Sequence, residues 1–308
     1  MTLARALIKM EKYEAALIAM NTCPVAPNPE PEAIRILPTT KPWIPRKNRS
    51  LQDEVSQSPS EDSILERLKG SRLRGALKQA YDVLVELVAA TGWDDLLKLR
   101  SRIFLMEEEY RAQRTDRRPS DVSEMEQIPL DDHPPPKTGK RLCERWLDQL
   151  FMVLFDDMRV YTIYRGEVQH FRGENMPYQR TAREWLILGT LCRRLAHFEE
   201  AKEAYRQCVE TAFCEEAWQA LLEMYTDEGR LAHALTAVTK LLLHQAGHYQ
   251  TAIYPNVVGR QIFKMIRMHG VERIRTTMMT LNMGAQVDAL LQKYLEMVAA
   301  QKCLGHDY

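Results

Sequence analysis

Apolar residues recur at helical spacing along most of this chain, as they do in amphipathic α-helices. Residues 2–22 predict one helix, and residues 64–111 predict two helices that fold back as a helical hairpin. From residue 140 to about Ala300, helical patterns follow one another at short intervals, and no strand-like alternation competes with them. The pattern predicts an all-α fold.

Two stretches lack this periodicity. Residues 23–63 are rich in Pro and then in Ser and Glu, and residues 112–139 mix charges densely around a run of three Pro residues. Segments of this composition bury too little apolar surface to offset the entropy lost on ordering. The sequence therefore predicts two disordered insertions. The predicted order is a partial repeat helix at 1–22, a linker at 23–63, the hairpin at 64–111, an insertion at 112–139 and a helical domain at 140–308.

Local expectations follow from helix geometry. The hairpin turn is placed at residues 91–93, with Asp94 as the N-cap of the second helix. Asp156 and Asp157 are adjacent, so their side chains diverge on a helix and do not form a paired acid and base. Both are expected at the surface.

A repeated pattern of residue types is the strongest signal in the chain. It places Trp, Leu, Gly, Ala and Tyr at the spacing of a tetratricopeptide unit, and a second copy follows 33 residues later. A small residue in the second helix allows a close approach to the first, and a Gly suits the helix end. The sequence predicts a tetratricopeptide-like helical solenoid. Its predicted repeat core is Trp185, Leu188, Gly189, Ala201, Tyr205, Trp218, Leu221, Tyr225, Gly229 and Ala234.

The N-terminal segment also resembles part of a repeat. Residues 12–17 read as a second repeat helix, with Ala16 as the small residue and no first helix before it. Repeat arrays need terminal caps that hide their apolar ends. We therefore expect the sequence to begin inside a longer solenoid.

The first helix of each repeat lines the inner surface in folds of this type. Its non-core positions are basic in the first full repeat and acidic in the next, which suits an extended segment of mixed charge. An ordinary solvated surface is the alternative. Leu186 and Thr190 stand where a chaperone-binding repeat carries Lys and Asn, which weighs against a co-chaperone. The candidate partner-binding residues are Arg183, Arg193, Arg194, Glu216, Glu223 and Asp227.

A second candidate surface lies in the linker. Between residues 34 and 51 there are five basic residues, no acidic residue and an interfacial Trp. Such a segment suits an anionic membrane, where each well-placed charge contributes about 1 kcal/mol. The alternative is a solvated linker. The candidate membrane-facing residues are Arg35, Lys41, Trp43, Arg46, Lys47 and Arg49.

Composition limits the partners and the chemistry. Lys plus Arg total 42 and Asp plus Glu total 42, so net charge does not favour nucleic acid. The six Cys residues lack C-x-x-C spacing, which indicates a reduced, cytoplasmic protein. His244 and His248 lie one helical turn apart, but no third ligand completes a metal motif. The sequence also lacks a phosphate loop and a nucleophile motif, so we expect no catalytic residues, no cofactor and no metal.

Two blocks are more distinctive than the repeats. They are Lys140–Phe171, KRLCERWLDQLFMVLFDDMRVYTIYRGEVQHF, and Ala252–Met283, AIYPNVVGRQIFKMIRMHGVERIRTTMMTLNM. Together with the opening KYEAALIAMNTCPV, they resemble the ChAPs family, the fungal exomer cargo-adaptor subunits. The resemblance is to the C-terminal part of that family.

The resemblance implies a function in binding and not in catalysis. Its implied partners are the exomer scaffold protein and transmembrane cargo such as chitin synthase, at the trans-Golgi network, for transport to the plasma membrane. It also implies an Arf GTPase, although the family's Arf-facing and membrane-facing elements are associated with an N-terminal part that we expect to precede this sequence. Contact with the Golgi membrane is expected to be peripheral, through the complex. The alternative is a general tetratricopeptide scaffold or co-chaperone.

Overall fold

The structure, a computed structural model, describes residues 1–24, 63–105, 140–248, 256–281 and 283–300. Most of these residues are helical, which confirms the all-α prediction. The predicted insertion at 112–139 lies outside the described ranges, and so does the predicted linker at 23–63 apart from residues 23, 24 and 63.

The helices, numbered in chain order, are α1 (Thr2–Lys9), α2 (Tyr13–Asn21), α3 (Ser63–Glu66), α4 (Gly75–Thr91), α5 (Trp93–Ile103), α6 (Arg145–Gly173), α7 (Ala182–Arg194), α8 (Phe198–Thr211), α9 (Glu215–Asp227), α10 (Leu231–His248), α11 (Asn256–His269), α12 (Val271–Leu281) and α13 (Ala285–Ala300). A short 3-10 helix spans Lys69–Arg72. Two-residue strands β1 (Phe104–Leu105) and β2 (Arg141–Leu142) pair in parallel, with Phe104 opposite Arg141.

The chain divides into two compact units. The first consists of Met1–Leu37 with Leu68–Thr162, and the second of Pro38–Arg67 with Ile163–Tyr308. Helix α6 contributes residues to both units. The predicted domain boundaries stay a prediction.

In the first unit, residues 2–22 form two helices, and the expectation of one continuous helix is wrong. Helix α1 ends at Lys9, and Glu11 has a φ of 58°, in the left-handed region that interrupts an α-helix. Helix α2 then packs on α1. Ala4 and Ala16 are both buried, so small residues stand on each helix of the pair. Helix α1 therefore precedes α2 as a first helix, which the sequence was expected to lack.

The next helix pair turns at Gly92. This residue has a φ of 84° and is the N-cap of α5, which begins at Trp93. The expectation that Asp94 caps α5 is therefore wrong. Asp94 lies in the first turn of α5, where its carboxylate interacts favourably with the positive end of the helix dipole.

The expectation that Asp157 lies at the surface is also wrong. Asp156 is exposed, but Asp157 is fully buried in the first unit. The hydroxyl of Tyr81, which is fully buried on α4, donates a hydrogen bond of 2.6 Å to Asp157 Oδ2. A buried carboxylate is retained only where donors replace the lost water. The pair therefore fixes α4 to α6 within this unit.

We expect Tyr81→Phe to lower the free energy of unfolding by about 1–2 kcal/mol, because a hydrogen bond to a buried charged group is lost. Urea denaturation followed by circular dichroism would measure this loss. The matched control is Tyr13→Phe, which removes the hydroxyl of a half-buried Tyr in the same unit. The control is expected to change stability by less than about 0.5 kcal/mol. Equal effects of the two substitutions would contradict the role assigned to the Tyr81 hydroxyl.

The second unit is built from paired helices. Helix α7 packs on α8, and α9 packs on α10. Helix α7 begins with a capping box, in which the Thr181 hydroxyl accepts from the Glu184 amide and the Glu184 carboxylate accepts from the Thr181 amide. Within each pair, the turn between the two helices uses a left-handed residue, Ala196 with a φ of 63° in the first pair and Gly229 with a φ of 72° in the second.

The two helices of the first pair, α7 and α8, approach closely where a small residue faces an aromatic ring. A Cβ atom built on Gly189 of α7 would lie 2.7 Å from Cδ1 and Cε1 of Tyr205 on α8. Tyr205 is fully buried, so its ring occupies the space that any side chain at position 189 would need. Gly189 therefore permits the contact between the two helices.

Helices α11, α12 and α13 continue the packing. Helix α11 contacts α9, α12 and α13, and α13 also contacts α10. Gly259 of α11 faces the ring of Tyr294 on α13, which would lie 3.3 Å from a Cβ atom. Helix α11 thus continues the series formed by α7 and α9, the first helices of the two preceding pairs.

Candidate functional site

The predicted repeat core lies mostly inside the second unit. Of its ten residues, eight are buried, and Trp218 and Gly229 are half-buried. Trp185 is 5% exposed, and its ring makes edge contacts with Tyr164 and Tyr178 at centroid distances of 6.3 and 5.5 Å. These contacts give the first helix of the repeat a fixed orientation, which sets the direction of its outer side chains.

The outer side chains of α7, α9 and α11 form three rows of charge. We call them the α7 row, the α9 row and the α11 row, and together the inner-helix surface. The α7 row is basic, the α9 row is acidic and the α11 row is basic again. The rows consist of Arg183, Arg193 and Arg194 on α7, Glu216, Glu223 and Asp227 on α9, and Arg260, Lys264 and Arg267 on α11.

Several charges of these rows pair with one another. Arg193 Nη2 lies 2.6 Å from Glu223 Oε2, which joins the α7 row to the α9 row. Lys264 forms an ion pair with Asp227, which joins the α9 row to the α11 row. Each pair is partly exposed and therefore contributes about 0–1 kcal/mol to stability. Their main consequence is that three predicted partner-binding charges have partners within the chain.

Arg183 is engaged as well. Its Nε lies 3.0 Å from Oε1 of Glu66 on α3, the short helix that packs against α7. Arg194 is half-buried, whereas Glu216 is exposed near the beginning of α9. Of the six predicted residues, five are paired or half-buried, and Glu216 is exposed without an ion-pair partner among the described residues. Their role in partner binding stays a prediction.

The α11 row was not identified from the sequence. Its sequence signal is a basic residue at positions i, i+4 and i+7 of a helix. The repeat pattern does not identify this helix, because α11 lacks the Trp and Tyr of that pattern. Within the described ranges, neither Arg260 nor Arg267 has an ion-pair partner. Phe263 lies on the same side of α11 and is 37% exposed.

Lys202 is a further residue that sequence reasoning missed. Its side chain is fully buried on α8, and Nζ donates to Glu199 Oε1 at 2.7 Å and to Glu228 Oε1 at 2.6 Å. Burial disfavours the charged ammonium, but the two hydrogen bonds outweigh this cost and raise the pKa of Lys202. Lys202 therefore stays charged and links α8 to the end of α9.

The candidate metal site and the candidate membrane-facing segment gain no support from the described residues. His244 stacks on Phe213 with centroids 4.1 Å apart, and the side chain of His248 lies outside the described residues. Among the described residues, no group of three His, Cys, Asp or Glu side chains is placed to hold a metal ion. Across the same ranges, the helices are all too short or too polar to cross a membrane. The candidate membrane-facing residues Arg35, Lys41, Trp43, Arg46, Lys47 and Arg49 lie outside the described ranges.

Two protein-family models match the sequence of this chain. The model of the ChAPs family, the Chs5p-Arf1p-binding proteins, matches residues 1–111. A tetratricopeptide repeat matches residues 182–213, which confirms the first full repeat. The expectation that the resemblance is to the C-terminal part of the family is not borne out, because the family match lies at the N-terminal end of this chain.

Relatives with similar sequences are found in two yeasts. The chain is 32% identical to a Schizosaccharomyces pombe protein named only as uncharacterized, over 99% of this chain and 52% of that protein. It is 34% identical to Bud site selection protein 7 and 33% identical to Protein BCH1 of Saccharomyces cerevisiae, each over 73% of this chain. These alignments cover 31% and 32% of the two proteins. The chain thus spans about half the length of the first relative and a little under a third of the other two.

Two solved structures share the fold. The crystal structure of the Chs5-Bch1 exomer cargo adaptor complex matches with a TM-score of 0.72 at 24% identity, over 99% of this chain and 46% of that chain. The Chs5-Chs6 exomer complex bound to a portion of Chs3 matches with a TM-score of 0.54 at 17% identity, over 96% of this chain and 48% of that chain. At these identities the likeness shows a shared fold.

Proposed function

We propose that this chain is part of a ChAPs-type subunit of an exomer cargo adaptor. The observation that carries the proposal is the 33% identity to Protein BCH1 over 73% of this chain. A chain of the Chs5-Bch1 exomer cargo adaptor complex shares this fold over 46% of its length. The family match at residues 1–111 supports the same assignment independently of the repeat region.

The proposed activity is binding without chemical change. The inner-helix surface offers charged rows on rigid helices, which suits an extended segment of an exomer scaffold protein or of a cargo tail. Rigid presentation lowers the entropy cost of binding, because the side chains are already oriented. Transmembrane cargo such as chitin synthase would be recruited by its cytosolic tail.

The proposed location follows from this activity. An adaptor for export to the plasma membrane acts at the trans-Golgi network, on the cytoplasmic side, and is held there peripherally by its complex. The family name includes Arf1p as a bound protein, which makes an Arf GTPase a further proposed partner. A general tetratricopeptide scaffold or co-chaperone is the alternative that the experiment must exclude.

Affinity capture from yeast lysate with the tagged full chain tests the proposal. We expect mass spectrometry to identify Chs5 with the wild-type chain and to lose it with Trp185→Ala/Trp218→Ala, which removes large side chains from the repeat core. Because that variant is destabilised, a second variant, Arg194→Glu/Glu216→Lys, reverses two charges of the inner-helix surface and keeps the net charge. Recovery of chaperones in place of Chs5 would favour the alternative. Equal recovery of Chs5 by the second variant would place the scaffold contact elsewhere on the chain.

A further inference from the structure

The α11 row differs from the α7 row and the α9 row because, among the residues that the structure describes, two of its three charges form no ion pair. Arg260 and Arg267 are exposed and, within the described ranges, have no ion-pair partner. Lys264 stands between them and pairs with Asp227 of the neighbouring α9 row. Seven residues of helix separate the two Arg residues by roughly 10 Å along the axis.

An exposed apolar surface lies within this row. Phe263 is 37% exposed one turn after Arg260, and Met268, next to Arg267, is 47% exposed. The exposed part of the Phe263 ring lies between two cations, and it suits a segment that brings two carboxylates and an apolar side chain. The row therefore combines charge with a hydrophobic contact.

The order of the rows indicates the charge of what binds there. The basic α7 row pairs with the acidic α9 row, and the acidic α9 row pairs in turn with the basic α11 row. Each row thus contacts a row of opposite sign. The charges of the α11 row that do not pair within the described residues are Arg260 and Arg267, which are both basic. A partner that binds them through opposite charge is therefore acidic.

We propose that the α11 row binds an acidic segment of a partner protein, which places an aliphatic or aromatic side chain over Phe263. In a segment with polyproline II geometry, residues three apart lie on the same side and are separated by roughly 9 Å, so their carboxylates reach Arg260 and Arg267 together. This inference rests on the proposed function, since it names the chemistry of one segment that the inner-helix surface holds.

Fluorescence anisotropy with the full chain tests the inference. The probe is a short fluorescein-labelled peptide that repeats Glu-Glu-Phe, and the comparison peptides carry Lys in place of Glu or Ala in place of Phe. We expect the wild-type chain to bind the Glu-Glu-Phe probe, Arg260→Glu/Arg267→Glu to raise its Kd at least about tenfold, and Phe263→Ala to raise it less. The matched control is Arg159→Glu/Arg172→Glu, which reverses two exposed Arg residues on α6 and should leave the Kd unchanged.

Specific outcomes would overturn the inference. They are equal binding of the Lys peptide, an unchanged Kd for the Arg260→Glu/Arg267→Glu variant when circular dichroism shows that it is folded, or an equal loss in the control. Retention by phosphatidylserine vesicles, lost in the same variant while the peptide does not bind, would assign the row to a membrane instead. Failure to capture Chs5 with peptide binding intact would refute the proposed function alone. Capture of Chs5 without peptide binding would refute this inference alone.

Discussion

Replacing Trp185 with Ala is expected to lower the free energy of unfolding by about 3–5 kcal/mol, the cost of deleting a large buried aromatic side chain. Trp185 is almost fully buried and contacts the rings of Tyr164 and Tyr178 in edge geometry. Its loss leaves a cavity and also removes aromatic contacts that contribute beyond buried area. Urea denaturation of the full chain, followed by far-ultraviolet circular dichroism, measures the change.

Trp218→Ala provides the matched control, because Trp218 occupies the corresponding repeat position one repeat later. Its side chain is half-buried, so the substitution removes less apolar surface from the core. We expect a loss of at most about 2 kcal/mol. If the two substitutions destabilise the protein equally, the aromatic cluster around Trp185 adds nothing to the stability of the first full repeat.

The repeat could be predicted from sequence because its signal consists of residue types at fixed distances. The contacts of Trp185, Gly189 and Tyr205 lie within the second unit and close to one helix pair. These residues are therefore near one another in the sequence, where their spacing can be recognised. The break between α1 and α2 gave no such signal. Glu11 adopts a left-handed conformation without Gly or Pro nearby, and packing of α2 against α1 stabilises the turn.

Charged residues were harder to place than apolar ones. Asp157 was expected at the surface because the sequence does not show that Tyr81, 76 positions earlier, donates to its carboxylate. The same difficulty affects the candidate site. Arg193 and Glu223 were selected as free charges from helix periodicity, but they face each other across neighbouring helices and pair. Periodicity assigns a residue to a helix face, whereas the partner on that face depends on how the helices stack.

The contact between Gly189 and Tyr205 predicts that a Gly-to-Ala substitution lowers stability at position 189 and raises it at a position without such a contact. Gly189→Ala is expected to destabilise the protein by about 3 kcal/mol, because the new methyl group would lie 2.7 Å from two ring atoms of buried Tyr205. Relief requires α7 and α8 to separate or the Tyr205 ring to leave its position. A lower midpoint in urea denaturation measures the effect.

The matched substitution is Gly166→Ala, which makes the same chemical change on the exposed side of α6. No described atom lies within 4 Å of a Cβ at this position, so only helix propensity changes. Ala is favoured over Gly in a helix interior by about 1 kcal/mol, and the variant should be more stable than the wild-type chain. Opposite shifts of the two midpoints would show that Gly189 is required by the contact with Tyr205, whereas a stabilising Gly189→Ala would mean that the helices of the first full repeat can separate at little cost.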